Sequence, residues 1–415
     1  MDAQTRDTLL ALFDAKLSRQ MLLNLETCTR CGLCTKACHA YASMPLPKYA
    51  PAYRAEVVRR IYTKYFTKPG RFLPQLGEAK ALDDTAIGEL REAAYTCTGC
   101  RRCMVYCPFG IDTQQIVSIA KLLLIGAGAE PETLTMLADM SVSKGENIDA
   151  IKDGFAAGVK RLEERIPAAW RSMAGPAIPV DAAGADMLYV ALAGAHSIVP
   201  AATVFNAAGE SWTLSFFEAV NFGAFVGDPA KTTIILKRII DEAERLGVTE
   251  VCICECGTAF RVMRQMAGPR AFKVVSLTEV QARYIREGRI RVNKLPGTYT
   301  YHDPCQIARN AGIYDEPRFV LRNIVEKYHE MSPDPKYNWC CGGGGGLVAL
   351  GEDSLDFRLR SAKVKAEQIA ATGAQTLVTA CENCHTQLSD VNEHYGLGKS
   401  VRFLSSLVAD ALAGP

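Results

Sequence analysis

The sequence predicts an α+β multidomain protein in which a helical, cysteine-rich domain precedes an α/β domain. Apolar residues recur at helical spacing near the N-terminus, in residues 7–25 and 111–124. From Asp186 onward, short apolar runs alternate with amphipathic helices, which indicates an α/β domain with largely parallel strands. We therefore expect a helical domain at residues 1–130, a helical connector at 131–185 and the α/β domain at 186–415.

The connector is predicted from its composition. It is rich in alanine and glycine, carries charged helical patches, and ends with Pro167, Pro176 and Pro179. Prolines at this density interrupt regular structure and are typical of a domain boundary.

The α/β domain is predicted to consist of two degenerate halves. Strands are expected at residues 187–193, 251–254, 273–275, 298–302 and 376–380, and helices at 232–246 and 355–371. One alignment of the halves places Cys256-Gly257-Thr258 over Cys384-His385-Thr386. A second, with a different offset, places Asn221-Phe222-Gly223 over Cys340-Cys341-Gly342. The first half would then have lost most of the cysteines that the second half keeps.

Composition narrows the class of protein. The chain has 415 residues, 48% hydrophobic and 22% charged, and its net charge of +2 gives no reason to expect a nucleic-acid partner. The 16 cysteines occur in a long chain whose first residues lack the apolar core of a signal peptide. We therefore expect a reducing, cytoplasmic compartment in which thiolates bind metal.

No apolar run is long enough to span a membrane. The best candidate, residues 187–205, is interrupted by His196 and Pro200, and we interpret it as a buried strand followed by a loop. The chain is therefore expected to reach a membrane only through a partner subunit.

Two cysteine runs have the spacing Cys-x2-Cys-x2-Cys-x3-Cys, which is typical of ferredoxin-type [4Fe–4S] clusters. In domains with two such runs, the fourth cysteine of each run binds the cluster of the other run. We therefore assign the first cubane cluster to Cys28, Cys31, Cys34 and Cys107. The second cubane cluster is assigned to Cys97, Cys100, Cys103 and Cys38. Zinc binding and a purely structural role are the competing interpretations.

The residues beside these runs differ in small ways from the usual pattern. Pro108 follows the second run as expected, whereas His39 takes the place of proline after the first run. Arg101 and Arg102 lie within the second run, where they would tune the reduction potential, meet a partner, or simply be solvated. We favour the solvated interpretation, because most arginines are exposed.

A third group of cysteines supports a resemblance to a known family. Cys305, Cys340-Cys341-Gly342 and Cys381-Glu382-Asn383-Cys384 resemble the CCG motif of heterodisulfide reductase catalytic subunits. The string from Tyr301 to Cys305, the glycines from Gly342 to Gly346, and Cys384-His385 resemble the K subunit of the sulfite-reduction-associated membrane complex. Similar proteins are cytoplasmic subunits of transmembrane cytochrome complexes. The resemblance covers nearly the whole chain.

The resemblance implies a noncubane [4Fe–4S] cluster held by five cysteines. The matching residues are Cys305, Cys340, Cys341, Cys381 and Cys384. Five thiolates on four irons require a bridging ligand, and the adjacent pair Cys340 and Cys341 suits that role. The glycines that follow would leave backbone N–H groups available to sulfur. A phosphate-binding loop and a flexible linker are the competing interpretations of the glycine run.

Other residues near these motifs have two interpretations each. Cys256 would either approach the cluster from the first half or be a vestigial core thiol, and Cys252 and Cys254 are expected to be buried small hydrophobes. His302 and His385 flank cluster ligands, so each would either donate a proton during catalysis or make a supporting hydrogen bond.

Together these features predict an iron–sulfur electron-transfer subunit of a membrane-associated respiratory complex. Electrons would come from a membrane subunit carrying haem or a quinone site, pass through the two cubane clusters, and cleave a disulfide at the noncubane cluster. For the sulfite-reduction branch, the resemblance implies a small protein with a C-terminal disulfide or trisulfide as substrate. The protein would lie at the cytoplasmic face of the membrane, bound to its partner.

Two alternatives remain open at this stage. The chain would be a pure electron-relay subunit, or the iron–sulfur subunit of a flavin-dependent complex that oxidises a hydroxy acid or glycerol phosphate. The second alternative requires a flavoprotein partner, because the sequence contains no flavin motif. A structural scaffold stabilised by bound metal is a poorer interpretation, since ferredoxin-type runs serve electron transfer.

Overall fold

The computed structural model describes residues 1–73, 75, 78–333 and 335–414. Their contacts divide the chain into two compact units. The first, here called the helical unit, comprises Met1–Ala138, Phe222–Ala230 and Trp339–Glu367. The second, here called the sheet unit, comprises Asp139–Asn221, Lys231–Asn338 and Gln368–Pro415. The predicted fold class, a helical part followed by an α/β part with two halves, is confirmed.

The N-terminal part of the helical unit is built from helices. They are α1 (Ala3–Asp14), α2 (Arg19–Glu26), α3 (Leu33–Ala37), α4 (His39–Ser43), α5 (Pro51–Phe66), α6 (Lys68–Phe72), α7 (Asp84–Tyr95), α8 (Arg102–Tyr106) and α9 (Thr113–Gly126). The single helix expected over residues 7–25 is thus two helices. Ser18 begins the second one, because its hydroxyl accepts a hydrogen bond from Met21 N at 3.2 Å.

The segment expected to be a connector is also helical. It forms α10 (Glu132–Glu146), α11 (Ile148–Glu164) and α12 (Ala168–Ala174). Its boundaries at residues 131 and 185 remain a prediction.

The first half of the sheet unit is a four-stranded parallel sheet. Its strands are β1 (Met187–Val190), β2 (Trp212–Leu214), β3 (Glu250–Ile253) and β4 (Lys273–Ser276). The helices of this part of the chain are α13 (Ala195–Ala207), α14 (Phe222–Val226), α15 (Pro229–Leu246), α16 (Gly257–Met266) and α17 (Leu277–Arg286). The strand order is β2-β1-β3-β4.

The second half repeats the arrangement. Its strands are β5 (Leu295–His302), β6 (Val325–His329), β7 (Thr376–Thr379) and β8 (Ser400–Phe403), all parallel, in the order β6-β5-β7-β8. The helices are α18 (Asp315–Ile324), α19 (Glu352–Ser361), α20 (Lys363–Ala370), α21 (Glu382–His394) and α22 (Leu404–Ala411). Because the two sheets have the same strand order, the internal repeat inferred from the sequence is a real structural duplication.

The structure corrects three predictions in this domain. The loop expected after the first strand is the buried helix α13, in which Pro200 is accommodated. The helix expected over residues 355–371 is divided into α19 and α20. The short strands β2, β6 and β8 were not predicted. β6 and β8 are edge strands with partly exposed residues, and β2 has only three residues, so periodicity gives little signal for any of them.

The core of the sheet unit is formed by its central strands and the helices that cover them. Leu188, Val190, Val251 and Ile253 are buried between the helices. Cys252 and Cys254 lie in the same core, as expected for small hydrophobic side chains, and burial raises the pKa of both thiols.

Within the described ranges, no helix is both long enough and apolar enough to cross a membrane.

We predict that the cap at the start of α17 stabilises the fold measurably. Ser276 Oγ accepts a hydrogen bond from Glu279 N at 3.2 Å, and Glu279 accepts one in return from Ser276 N at 2.8 Å. Ser276→Ala removes half of this capping box and is expected to lower the free energy of unfolding by about 1 kcal/mol. The urea midpoint of the iron-loaded protein measures the effect. Ser172→Ala, at an exposed helical serine, is the control, and equal midpoints for the two variants would contradict the prediction.

Candidate functional site

The first four-cysteine set lines one small cavity of the helical unit. Cys28 and Cys31 lie in the loop before α3, Cys34 lies in α3, and Cys107 follows α8. All four line the same cavity. The fourth cysteine therefore comes from the second run, in the exchanged arrangement that the spacing predicts.

The second set lines a separate cavity of the same unit, which contains Cys38, Cys97, Cys100 and Cys103. The two runs have the same backbone shape. Arg30 and Gly32 of the first run have φ values of 56° and 78°, and the matching residues Gly99 and Arg101 have 65° and 57°. These left-handed residues turn each loop so that its sulfurs converge on one side.

The donor chemistry of both cavities fits iron–sulfur clusters. Each cavity brings together four thiols, and thiolate is the ligand that such clusters use. Burial raises the pKa of Cys34, Cys97 and Cys103 above the ordinary value of a thiol. Bare thiolates are therefore unfavourable at these positions, and a bound metal centre would favour the deprotonated sulfurs.

A buried arginine lies beside the second set. Arg54 Nη1 is 3.4 Å from Cys38 Sγ, and Arg54 Nη2 donates to the Thr96 carbonyl at 2.8 Å. Burial alone lowers the pKa of this guanidinium, but the thiols of Cys38 and Cys97 raise it, so that its pKa lies above the ordinary value. Arg54 can thus offset the negative charge of four thiolates.

Sequence reasoning missed Arg54, although a signal was present. Arg54 lies four residues before Val58 and seven before Ile61, on the apolar face of α5. A charged residue on a buried helical face requires a partner of opposite charge, which here is the thiolate set.

The two arginines of the second run are not solvated, contrary to our expectation. Arg101 pairs with Asp112 at 2.9 Å, and both side chains are largely buried. Arg102 is 2% exposed, donates to the Ala37 carbonyl at 2.7 Å, and stacks on the ring of Trp339 at 3.5 Å. Since Trp339 directly precedes Cys340, Arg102 holds the start of the Cys-Cys-Gly loop.

The Cys-Cys-Gly loop packs against the second ferredoxin-type run within the helical unit. Cys340 Sγ lies 3.4 Å from Thr98 Oγ1. A Cβ atom on Gly345 would lie 2.5 Å from the Cys97 carbonyl oxygen, and one on Gly344 would lie 2.7 Å from that of Thr98. Only glycine permits this approach, so the run is a packing requirement rather than a linker.

A buried lysine fixes the same loop. Lys121 Nζ donates to the Gly345 carbonyl at 3.0 Å and also to the Phe225 carbonyl. Burial lowers the pKa of Lys121 to about 8. These contacts give the glycine run one conformation in which Cys340 stays near Thr98.

The remaining cysteines of the motif belong to the sheet unit and follow the carboxyl ends of its strands. Cys305 follows β5, and Cys381 and Cys384 lie at the start of α21, directly after β7. A hydrogen bond from the Cys384 thiol, with backbone N–H groups of the helix start, lowers the pKa of Cys381. Thiolate character is therefore favoured at Cys381.

Cys256 occupies a different position in the repeat from the one that the sequence alignment gave. It occupies the N-cap position of α16, as Cys381 occupies the N-cap position of α21. Cys256 therefore corresponds to Cys381 and not to Cys384, whose position three residues into the helix is taken by Ala259. Burial raises the pKa of Cys256 to about 12.

A buried ion pair supports the turn that carries Cys305. Both Asp303 carboxylate oxygens accept hydrogen bonds from Arg318, at 2.8 Å each, and Arg318 also pairs with Glu330 at 2.7 Å. Asp303 and Arg318 are both buried. This two-point contact fixes the backbone two residues before Cys305.

The two predicted histidines lie in different surroundings. His302 is buried at the end of β5, and one of its ring nitrogens lies within 4.8 Å of Cys384 Sγ. The His385 ring stacks on Phe403 with a centroid distance of 4.1 Å, and burial lowers the pKa of His385. The His302 ring therefore lies beside a cysteine sulfur, and the His385 ring lies against an aromatic side chain.

An ion pair near His385 was not anticipated. His196 Nε2 lies 3.0 Å from Glu382, and this hydrogen bond raises the pKa of His196. No local pattern predicts this pair, because its members come from different halves of the repeat.

In the first half of the sheet unit, a cavity lies at the position that corresponds to Cys305 in the second half. The cavity measures about 560 Å³ and lies at the carboxyl ends of β1 and β2. Ala193 lies on its wall, three residues after β1, as Cys305 lies three residues after β5. The loss of the thiol at this position agrees with the loss of cluster ligands predicted for the first half.

Comparison with known families supports both kinds of cluster domain. Residues 24–111 match a 4Fe-4S dicluster domain, and residues 299–389 match the cysteine-rich domain named CCG. The chain thus resembles heterodisulfide reductase-like, CCG-domain iron–sulfur proteins. The resemblance inferred from its cysteine motifs is thereby confirmed.

Individual relatives cover almost the whole chain. The sequence is 28% identical, over 95% of its length and 81% of the relative, to the Hdr-like menaquinol oxidoreductase iron-sulfur subunit 2 of Archaeoglobus fulgidus. It is 25% identical to one of the subunits of the dihydromethanophenazine:CoB–CoM heterodisulfide reductase of Methanosarcina mazei, over 95% of this chain and 96% of that one. The EtfAB:quinone oxidoreductase of Syntrophomonas wolfei is 25% identical over 89% of this chain, which spans 55% of that relative.

These findings support iron–sulfur clusters as the bound groups and an oxidoreductase role for the CCG-domain protein. The relatives are named as oxidoreductases or as subunits of them.

We predict that Gly345→Ala strongly destabilises the Cys-Cys-Gly loop. The glycine has a φ of 71°, and the added Cβ would overlap the Cys97 carbonyl, so the expected loss of unfolding free energy is about 3 kcal/mol or more. The control is Gly128→Ala, where φ is 62° and no atom lies within 4 Å of the added Cβ. That variant is expected to lose only about 1 kcal/mol. Urea midpoints that fall equally in both variants would show that the overlap is not important.

We predict that Arg318→Met costs about 3–5 kcal/mol of unfolding free energy, because it leaves the buried Asp303 carboxylate without its partner. Arg322→Met, at an exposed position of the same helix, is the matched control and should change the unfolding free energy by no more than about 0.5 kcal/mol. Denaturant unfolding of the iron-loaded proteins measures both. A loss under about 1 kcal/mol for Arg318→Met would contradict the assigned role.

Proposed function

We propose that the protein is the iron–sulfur electron-transfer subunit of a membrane-associated respiratory complex and that it reduces a disulfide at its CCG cysteines. One observation carries this proposal. Cys340, the first residue of the Cys-Cys pair, lies against Thr98 of the second ferredoxin-type run. The close approach of Gly344 and Gly345 to that run and the hydrogen bond from Lys121 to Gly345 hold it there. An electron that reaches the second run is thus within short range of a CCG ligand.

The proposed cofactors are two cubane [4Fe–4S] clusters and one noncubane [4Fe–4S] cluster. The first cubane is assigned to Cys28, Cys31, Cys34 and Cys107, and the second to Cys38, Cys97, Cys100 and Cys103. The noncubane cluster is assigned to Cys305, Cys340, Cys341, Cys381 and Cys384, with Cys256 as a further candidate ligand. When bound, such clusters supply single-electron transfer steps.

The protein's own residues would control charge and protons. Disulfide cleavage consumes two electrons and two protons and yields two thiols. Arg54 offsets negative charge at the second run, which favours its reduced form. His302, near Cys384 Sγ, is the better-placed proton donor to a product thiolate, and His385 is the second candidate.

The proposed partners follow from the relatives. One relative is named as part of a menaquinol oxidoreductase and another as part of a dihydromethanophenazine-dependent heterodisulfide reductase. We therefore expect a membrane subunit with haem or a quinone site as the electron donor, with this chain peripheral on the cytoplasmic face. A small disulfide-bearing protein, as in the sulfite-reduction branch, is the proposed substrate class.

A second candidate function is an electron relay without disulfide chemistry, in a flavin-linked complex that oxidises a hydroxy acid, glycerol phosphate or a similar donor. The similarity to a protein named EtfAB:quinone oxidoreductase, over 89% of this chain, favours this candidate. It predicts cluster reduction without thiol release.

We predict that Cys341→Ala abolishes disulfide reduction and leaves the two cubane clusters in place. The probe is a synthetic two-cysteine peptide in its disulfide form, with reduced methyl viologen as the donor and peptide thiol release as the readout. Loss of one thiolate of the proposed noncubane site should lower the rate at least about 100-fold, whereas the paramagnetic resonance signals of both cubanes persist.

The matched control is Cys252→Ala, which removes a thiol from the core of the sheet unit. It should keep at least about half of the wild-type rate. Undiminished thiol release from the Cys341→Ala variant would overturn the site assignment. A wild-type protein that is reduced by viologen but releases no thiol would favour the relay function.

A further inference from the structure

His39 is a buried polar side chain that neither the fold nor the assigned ligands account for. It begins α4, directly after Cys38, and is 2% exposed. Neither of its ring nitrogens makes a hydrogen bond within the described part of the chain. A buried imidazole without partners is costly and needs an explanation. In the second run, the same position is occupied by Pro108.

The surroundings of the ring supply the explanation. A ring nitrogen of His39 lies within 4.8 Å of both Cys100 Sγ and Cys340 Sγ, and these two sulfurs lie within the same distance of each other. Cys100 belongs to the second cubane set, and Cys340 is the first residue of the Cys-Cys pair. All three residues belong to the helical unit.

The ring is not needed as an iron ligand. Four thiols already line the cavity of the second set, which matches the four ligands of a cubane cluster. Cluster-bound thiolate sulfurs carry no proton and act only as hydrogen-bond acceptors. The group that can satisfy them from this position is an imidazole N–H, which proline at the same site would not provide.

We infer that His39 donates an N–H hydrogen bond shared between the sulfurs of Cys100 and Cys340, and that this bond sets the reduction potential of the second cubane and links it to the CCG site. The role of Cys340 as a cluster ligand rests on the proposed function. A hydrogen bond to a cluster sulfur stabilises the reduced form, which carries the additional negative charge, and thus raises the potential. His39 is a positioning and tuning residue.

Hydrogen bonds connect α4, which begins with His39, to the segment that contains the Cys-Cys-Gly loop. Ser43, at the other end of α4, donates to the Ser361 carbonyl at 3.0 Å and accepts from Val364 N at 3.3 Å. The segment that contains Cys340 is thus hydrogen-bonded to the C-terminal end of α4. Arg54 reaches Cys38 of the same cysteine set, so the two residues act on different sulfurs.

The test compares His39→Leu, which removes the N–H, with His39→Gln, which keeps a side-chain N–H donor. Iron-loaded, full-length proteins are titrated with dithionite, and the second cubane is followed by electron paramagnetic resonance. At the wild-type midpoint, His39→Leu should raise the oxidised-to-reduced ratio of this cluster about tenfold, equal to about 59 mV for a one-electron couple.

His39→Gln should keep the ratio within about twofold of wild type. Pulsed measurements on the reduced wild-type protein should show weak coupling to an imidazole nitrogen that is missing from both variants. The control is Pro108→Leu at the matching position of the first cluster, where the residue is exposed and the second cubane should be unaffected.

A wild-type potential in His39→Leu would overturn the inference. An equal shift in His39→Leu and His39→Gln would also overturn it, because packing alone would then explain the effect. If His39→Leu fails to retain iron, His39→Pro, which carries the residue found after the second run, replaces it with the same expected shift. The titration needs no disulfide substrate, so a protein that shows the shift but releases no thiol contradicts only the proposed disulfide reduction.

Discussion

The close approach of the Cys-Cys-Gly loop to the backbone of Cys97 and Thr98 is the contact on which the proposed chemistry depends. Hypothetical Cβ atoms at Gly344 and Gly345 would lie 2.7 Å and 2.5 Å from carbonyl oxygens of that run. Without side chains at these two positions, the loop comes near enough for Cys340 to contact Thr98. The absence of side chains at these glycines therefore permits the close approach. Lys121 and Trp339 hold the loop in this position.

The burial of many cysteine sulfurs also determines the charge balance of the site. Thiols buried in cavities have raised pKa values, so their thiolate forms require compensation. Three groups supply it: the proposed metal centre, the guanidinium of Arg54 and the proposed N–H donor of His39. In the sheet unit, the hydrogen bond from the Cys384 thiol, together with backbone N–H groups at the start of α21, lowers the pKa of Cys381.

Duplication explains why only one half of the α/β part carries the CCG cysteines. Both sheets have the same strand order, and in both the residues after the first and third strands lie at the carboxyl edge, where parallel sheets place their functional groups. The second half has Cys305, Cys381 and Cys384 there. The first half has Ala193 and Ala259 at the positions of Cys305 and Cys384, and of these three matched positions only that of Cys256 carries a thiol. The first half thus has the same strand order as the second but lacks two of the three thiols at this edge.

Cysteine spacing and hydrophobic periodicity by themselves determined the fold class, the repeat and the grouping of the first eight cysteines, because ligand spacing and strand burial are local properties of the chain. Only the tertiary structure decided the roles of Arg54, Arg102 and His39, the helical state of α13 and the position of Cys256 in the repeat. These depend on neighbours that are distant in sequence: Arg102 is buried because Trp339 covers it, and His39 is buried because a loop far along the chain brings Cys340 to it. Spacing along the chain contains no information about such contacts.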